Sequence, residues 1–251
     1  MRSLPFASPL LPSPVMRRPL WGPVVVWPVT VAALSAAGLW AVRRWGTPVH
    51  HVERERRAVP TGPAVAPPPT SSETDVQTAE DGVGPRYHRR YRVAIRPTTM
   101  TPEALIAHVV SDLNAFCPSE IARFETVRGT PGHLAVGDEL EVHIASPWNG
   151  PVRVAEVTPT QFTLATLAGH MEAGQIRFSA APHPDASDAL RFTIESWARS
   201  RDAVVDALYD TLGLARGVQG AMWTFFLDRV AEAAGERWGD VEVLTEREAD
   251  A

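Results

Sequence analysis

The chain reads as an α+β protein: a curved antiparallel sheet wrapped around a long C-terminal helix, preceded by one N-terminal transmembrane helix. Three observations predict this. Residues 20–42 form an apolar run without a charge, residues 121–200 alternate apolar and polar side chains with period two, and residues 201–237 repeat apolar side chains at helical spacing. The corresponding division is an N-terminal tail at 1–19, a membrane helix at 20–42, a proline-rich disordered linker at 43–85, a folded domain at 86–237 and an acidic tail at 238–251.

The first run reads LWGPVVVWPVTVAALSAAGLWAV and is bracketed by Arg17 and Arg18 before it and Arg43 and Arg44 after it. About 20 apolar residues suffice to cross a ~30 Å hydrocarbon layer. Trp21, Trp40 and Trp45 fall near the ends, where amphipathic rings favour the headgroup level. A cleaved signal peptide is the competing reading, with Ala36, Ala37 and Gly38 as small residues for a cleavage site. Its charged region would be unusually long and its apolar core longer than the usual ~7 to 15 residues. Arginines are denser on the C-terminal flank, so the positive-inside rule leans toward a single-pass membrane protein with a cytoplasmic domain.

Residues 43–85 carry Pro48, Pro60, Pro63 and the run Pro67, Pro68, Pro69, with few bulky apolar side chains. Such a stretch buries too little to offset its ordering entropy and is expected to behave as an extended tether. The adjacent His50 and His51 are expected to be solvated there.

Beyond residue 85 the pattern is globular. Residues 91–96 suit a strand, and Thr101 before Pro102 and Glu103 is a helix N-terminus, with Leu105, Ile106, Val109, Val110, Leu113 and Phe116 painting one face apolar. Strands follow at 122–128, 139–144, 151–157, 162–167, 175–180 and 190–198. The clearest alternates Leu140, Val142 and Ile144 with Glu139, Glu141 and His143. The final run carries Val204, Val205, Leu208, Leu212, Val218, Met222, Phe225, Phe226 and Val230. Gly213, Gly217 and Gly220 interrupt it, so a kink, a break or a close approach to the sheet is expected there.

Charge and composition exclude several classes. Residues 86–251 hold 16 arginines against 23 acids, a net of −7, which disfavours binding to a polyanionic nucleic acid. Cys117, the single cysteine, permits neither an internal disulfide nor a cysteine-based zinc site, and between Phe116 and Pro118 it is expected to be a buried thiol. No nucleophile elbow, phosphate-cradling loop or dense acidic metal motif occurs, and the glycines at 213–220 follow a helix rather than a strand. No cofactor and no metal are expected.

Within this frame residues 160–174, TQFTLATLAGHMEAG, resemble a family of bacterial and plant domains of unknown function whose hallmark is a Gly-Thr-Leu-x-Gly-His-Pro-Glu-x-Gly-Glu run. Thr166, Leu167, Gly169, His170, Glu172 and Gly174 match it, whereas Ala165, Met171 and Gln175 depart. Gln219 and the aromatics after it are similar to that family's last helix. The resemblance spans about residues 86–235, and the order of elements resembles the helix-grip architecture of the START and birch-pollen-allergen superfamily. It implies a hydrophobic cavity between sheet and terminal helix that takes a lipid or another apolar ligand, and it brings no transferable catalytic residues.

The apolar positions that would line such a site are Leu140, Val142, Ile144, Phe162, Leu164, Ile176, Phe178, Phe192, Ile194, Met222 and Phe226, which would equally make a filled core. His170 and Glu172 share a turn and form a candidate polar site, either as acid and base or as a hairpin whose histidine satisfies a local backbone group. His108 and His143 read as surface side chains. The expectation is a membrane-anchored, non-enzymatic binding module for a hydrophobic small molecule or lipid. The alternatives are a cyclase- or hydrolase-like enzyme using His170 and Glu172, and a protein-interaction module at the membrane with its protein partner open.

Overall fold

The structure is a computed structural model that describes residues 49–64, 76–144, 150–203 and 214–249, with side chains of 214–218 excepted. The segment expected to cross a membrane, 20–42, lies outside the described residues. No described helix is long and apolar enough to cross a membrane.

Nine strands form one curved mixed sheet: β1 (Val49–Arg56), β2 (Val83–Ile95), β3 (Ala122–Arg128), β4 (Glu139–Ile144), β5 (Gly150–Thr158), β6 (Gln161–Thr166), β7 (Glu172–Pro182), β8 (Leu190–Ser200) and β9 (Val241–Glu248). Their spatial order is β1-β9-β2-β8-β7-β6-β5-β4-β3. From β3 to β8 sequential neighbours pair antiparallel, as short hairpin connections require. β2 inserts between β8 and β9, antiparallel to both.

Two helices lie on one face. α1 (Pro102–Ser111) starts where predicted: the Thr101 side chain accepts a hydrogen bond from the backbone N–H of Ala104, and Pro102 occupies the first turn. Leu105, Ile106 and Val109 are its buried stripe. Asp112 ends it and caps a single 3-10 turn, Leu113–Phe116, by accepting from Asn114 and Ala115. Asn114 then bonds the backbone of Phe124 in both directions, at 2.9 and 2.7 Å, tying this turn to the edge strand β3. Cys117 is buried, and burial, aided by the Asp112 charge, pushes its thiol up to about 12.

The second helix, α2 (Leu214–Ala234), packs against the same face. Phe226 and Leu227 are fully sealed. Phe226 contacts the rings of Phe116, Phe178, Phe192 and Trp223 at centroid distances of 5.6 to 6.3 Å. Burying each such ring contributes roughly 1.5 to 3 kcal/mol, so this contact fixes the helix on the sheet.

Three expectations need correction. The tether is not structureless throughout. β1 lies inside it and pairs parallel with β9, in register from Val49 with Val241 to Arg56 with Glu248. Val59 is buried, and Gln175 donates to the carbonyl of Pro63 at 2.6 Å, so part of the proline-rich stretch rests on the sheet's other face. The acidic tail is likewise a strand: β9 buries Val241, Val243 and Thr245 on the helix side, and backbone pairing with two neighbours offsets its ordering entropy. Third, α2 runs unbroken through Gly217 and Gly220, and a Cβ at Gly220 would meet nothing within 4 Å, so that glycine marks neither a kink nor a close approach. Gly213 lies outside the described residues.

Candidate functional site

Strand pairing assigns the faces. Phe162 opposes Phe178, Leu164 opposes Ile176, and Phe178 opposes Ile194, so these side chains share the helix-bearing face. Leu140, Val142 and Ile144 occupy the same face through β4's alternation. All eleven predicted lining residues belong to one apolar cluster; nine are buried, while Ile144 and Ile176 are only partly buried. At the Phe226 end the layers touch directly, and Phe162 stacks on Phe178 with centroids 4.7 Å apart. That end is filled core.

The opposite end of the same face is polar. Arg89 on β2 is buried and pairs across the sheet with Ser196, on the helix side. Its Nη1 donates to Glu172 Oε1 at 3.3 Å and to the side-chain oxygen of Gln219 at 3.5 Å. Gln219 in turn donates to Glu172 Oε2 at 3.1 Å. A strand, a hairpin and a helix thus meet in one hydrogen-bonded triangle, with the Tyr87 ring 4.5 Å from the Arg89 guanidinium. Tyr91 lies within reach of the Arg89 and Glu172 charges, and burial keeps its phenol above the ordinary range and protonated. Charge-assisted bonds of this kind compensate for taking Arg89 out of water.

Glu172 was legible from the sequence; Arg89 was not. An arginine within the Arg89-Arg90-Tyr91-Arg92 run reads as outward, and only register reveals that Arg89 and Tyr91 face in while Arg90 and Arg92 face out. Gln219 carried a signal through the family resemblance.

His170 is committed to the turn. Its Nδ1 lies 2.9 Å from the backbone N and 3.0 Å from the carbonyl O of Glu172, and burial lowers its pKa so that the ring is neutral. The ring rests against Gly150, where any Cβ would come within 2.9 Å of it. Gln77 braces the same turn by donating to the carbonyls of His170 and Glu172. Thr166 Oγ1 closes it, accepting from Gly174 N and donating to the Gly174 or Gln77 carbonyl. Hence His170 shapes the hairpin and Glu172 projects from it toward Arg89.

Three further histidines, His143, His108 and His51, hold local partners. His143 meets Glu125 at 2.8 Å on the exposed face of the β3/β4 edge, and His108 sits edge-on to Phe116 on the surface of α1. His50 is exposed, as expected, and the exposed His51 lies 3.1 Å from the Thr245 hydroxyl. Among the described residues no group of three histidine, cysteine or carboxylate side chains is placed to hold a metal.

The opposite face of the sheet is a lattice of cross-strand ion pairs. Arg153 meets Glu139 at 2.7 Å and Arg177 meets Glu156 at 2.8 Å. His88 lies between Glu195 and Glu246 and stacks on Trp197.

A family model described as a domain of unknown function, DUF1990, matches residues 68–227. No curated protein matches the chain by sequence. Solved structures of similar shape include an aromatase/cyclase from Streptomyces sp. R1128, 12% identical, covering 59% of this chain and 93% of its own, with a TM-score of 0.44. Norcoclaurine synthase from Thalictrum flavum, solved with dopamine and hydroxybenzaldehyde, is 11% identical over 72% of this chain and 99% of its own, at 0.43. A hypothetical protein of Helicobacter pylori is 10% identical over 70% and 99%, at 0.42.

Proposed function

The chain belongs to the DUF1990 family of domains of unknown function, and from that premise we propose that its folded domain is a non-enzymatic binding module for a hydrophobic small molecule or lipid, held at a membrane through residues 20–42. The observation that carries this reading is the position of Ile176. It lies on the inward face of a central strand, flanked by the sealed Leu164 and Phe178, yet it is itself partly exposed. Partial exposure at the middle of a sheet's inner face means that the helix layer covers this position only in part. The uncovered area lies beside Ser196, the cross-strand partner shared by Ile176 and Arg89, and so next to the polar triangle.

An amphiphile fits this arrangement. Its apolar body would rest against Ile176, Leu164, Met222 and Ile144, and a polar head would reach Arg89, Glu172 and Gln219. Sites for small molecules combine an apolar lining with a few fixed polar groups in this way. Engagement of His170 with its own turn favours binding over acid–base chemistry. The denser arginines after residue 42 favour a cytoplasmic domain, which protease protection in closed vesicles would check.

Solvent extraction and mass spectrometry of the full-length chain and of Ile176→Trp, purified side by side, test the proposal. A small molecule recovered with the native chain and depleted in the substituted one is the expected result. Identical extracts from both would refute it.

A further inference from the structure

A groove lies on the sheet's other face, away from the face that α2 covers. This groove of about 300 Å³ is lined by Arg92, Ala94, Arg191, His183, Trp238, Asp240 and Glu242, with Val93 and Gly239 completing its floor. Arg92 and Ala94 are outward positions of β2, and Ala94 pairs with Arg191 on β8, so the two guanidiniums rise from adjacent strands. Trp238 forms the wall, held by a backbone bond to Ala94, by the Arg96 guanidinium 5.0 Å from its ring and by the His183 ring at the same distance.

The charges in this groove do not close on one another. Arg92 and Glu242 are register partners, yet among the described residues neither Arg92 nor Arg191 enters an ion pair or hydrogen bond. The Nε of Arg92 is sealed from solvent and meets no acceptor. Elsewhere on this face arginines find carboxylates, as Arg153 and Arg177 do. Burial, first, and then the neighbouring Arg90 and Arg191 charges disfavour the Arg92 cation by more than the Glu242 and Glu195 charges favour it, so a further negative charge there would be attracted. Glu242 and Asp240 are exposed at the rim, where water and salt screen them.

We propose that this groove binds a small amphiphilic anion, with a phosphate or carboxylate head on Arg92 and Arg191 and a compact aromatic or apolar body along Ala94 and Trp238. The volume argues for the body: a bare anion needs little more than the ~30 Å³ of a water, whereas small-molecule sites begin at about 300 Å³.

Calorimetric titration of the full-length chain in lipid nanodiscs tests this with four probes: phenyl phosphate, benzoate, inorganic phosphate and benzyl alcohol. Phenyl phosphate or benzoate is expected to bind more tightly than either inorganic phosphate or benzyl alcohol. Arg92→Gln should weaken the aromatic anion by about tenfold or more, the worth of one charged hydrogen bond. Trp238→Ala should weaken phenyl phosphate and leave inorganic phosphate unchanged. Should Arg92→Gln fail to fold, Arg191→Gln reads the same contact. Heat from neither aromatic anion, binding indifferent to both arginine substitutions, or inorganic phosphate binding as tightly as phenyl phosphate would each overturn the proposal.

Discussion

Arg89 Nη1 and Glu172 Oε1 meet at 3.3 Å between β2 and β7, on the helix-bearing face of the sheet. Their side chains are only 5% and 15% exposed, so the pair lies in the regime where removing one partner leaves a desolvated charge short of its counter-charge. Glu172→Ala should therefore lower unfolding stability by about 3 kcal/mol, and Arg89→Met by a similar amount. The double substitution Arg89→Met with Glu172→Leu should cost less than the sum. Urea unfolding of the four chains checks the cycle, and strict additivity would mean that the two side chains do not act as a pair.

His88 sets a pH dependence. Burial opposes its cation, but the hydrogen bonds and charges of Glu195 and Glu246 outweigh burial, and its pKa is raised. Stability from this group is therefore full below the ordinary histidine value and is lost as pH rises through the folded value. For Glu195 and Glu246 burial is again the largest effect and again outweighed, here by His88 and neighbouring arginines, so both pKa values are lowered. Their contribution appears above the ordinary carboxylate value and fades as pH falls. The loss of melting temperature caused by His88→Gln should thus be larger at about pH 6 than at about pH 9. An equal loss at both would contradict this reading.

Two glycines should respond oppositely to alanine. At Gly174 a Cβ would fall 2.0 Å from the Trp197 carbonyl on the neighbouring strand, so Gly174→Ala must push β7 from β8 and destabilise the domain. At Gly220 a Cβ meets nothing within 4 Å, and Gly220→Ala should stabilise α2 by up to ~1 kcal/mol. Thermal melts of both variants decide the matter.

Phe226 joins α2 to the sheet and to the 3-10 turn, with no exposed surface. Phe226→Ala should cost about 3 to 5 kcal/mol, as large-to-small changes in sealed cores do. A loss near zero would show that the ring contacts are not formed.

How far these features could be foreseen depends on what each residue's neighbours are. β3 and β4 were predicted to the residue, because Leu140, Val142 and Ile144 alternate cleanly with charged positions. The N-terminus of α1 was equally readable, since Thr101 and Pro102 act locally. β1 was hidden: VHHVERER has no apolar face, and its strand state comes from backbone pairing to residues about 190 positions away. In β9 the alternation of Val241, Val243 and Thr245 was present but masked by Glu242, Glu246 and Glu248. In the site, the apolar set was readable from period two. The inward Arg89 was not, because facing direction in a run of polar residues is fixed by register with β8 and β9.

The most direct test of the binding reading is the mass of the full-length chain ejected from detergent micelles under native conditions. One bound molecule of defined mass per chain is expected for the natural sequence and none for Ile176→Trp, which fills the partly covered position. Equal masses above the bare polypeptide for both chains, or no excess for either, would contradict a ligand held beneath α2.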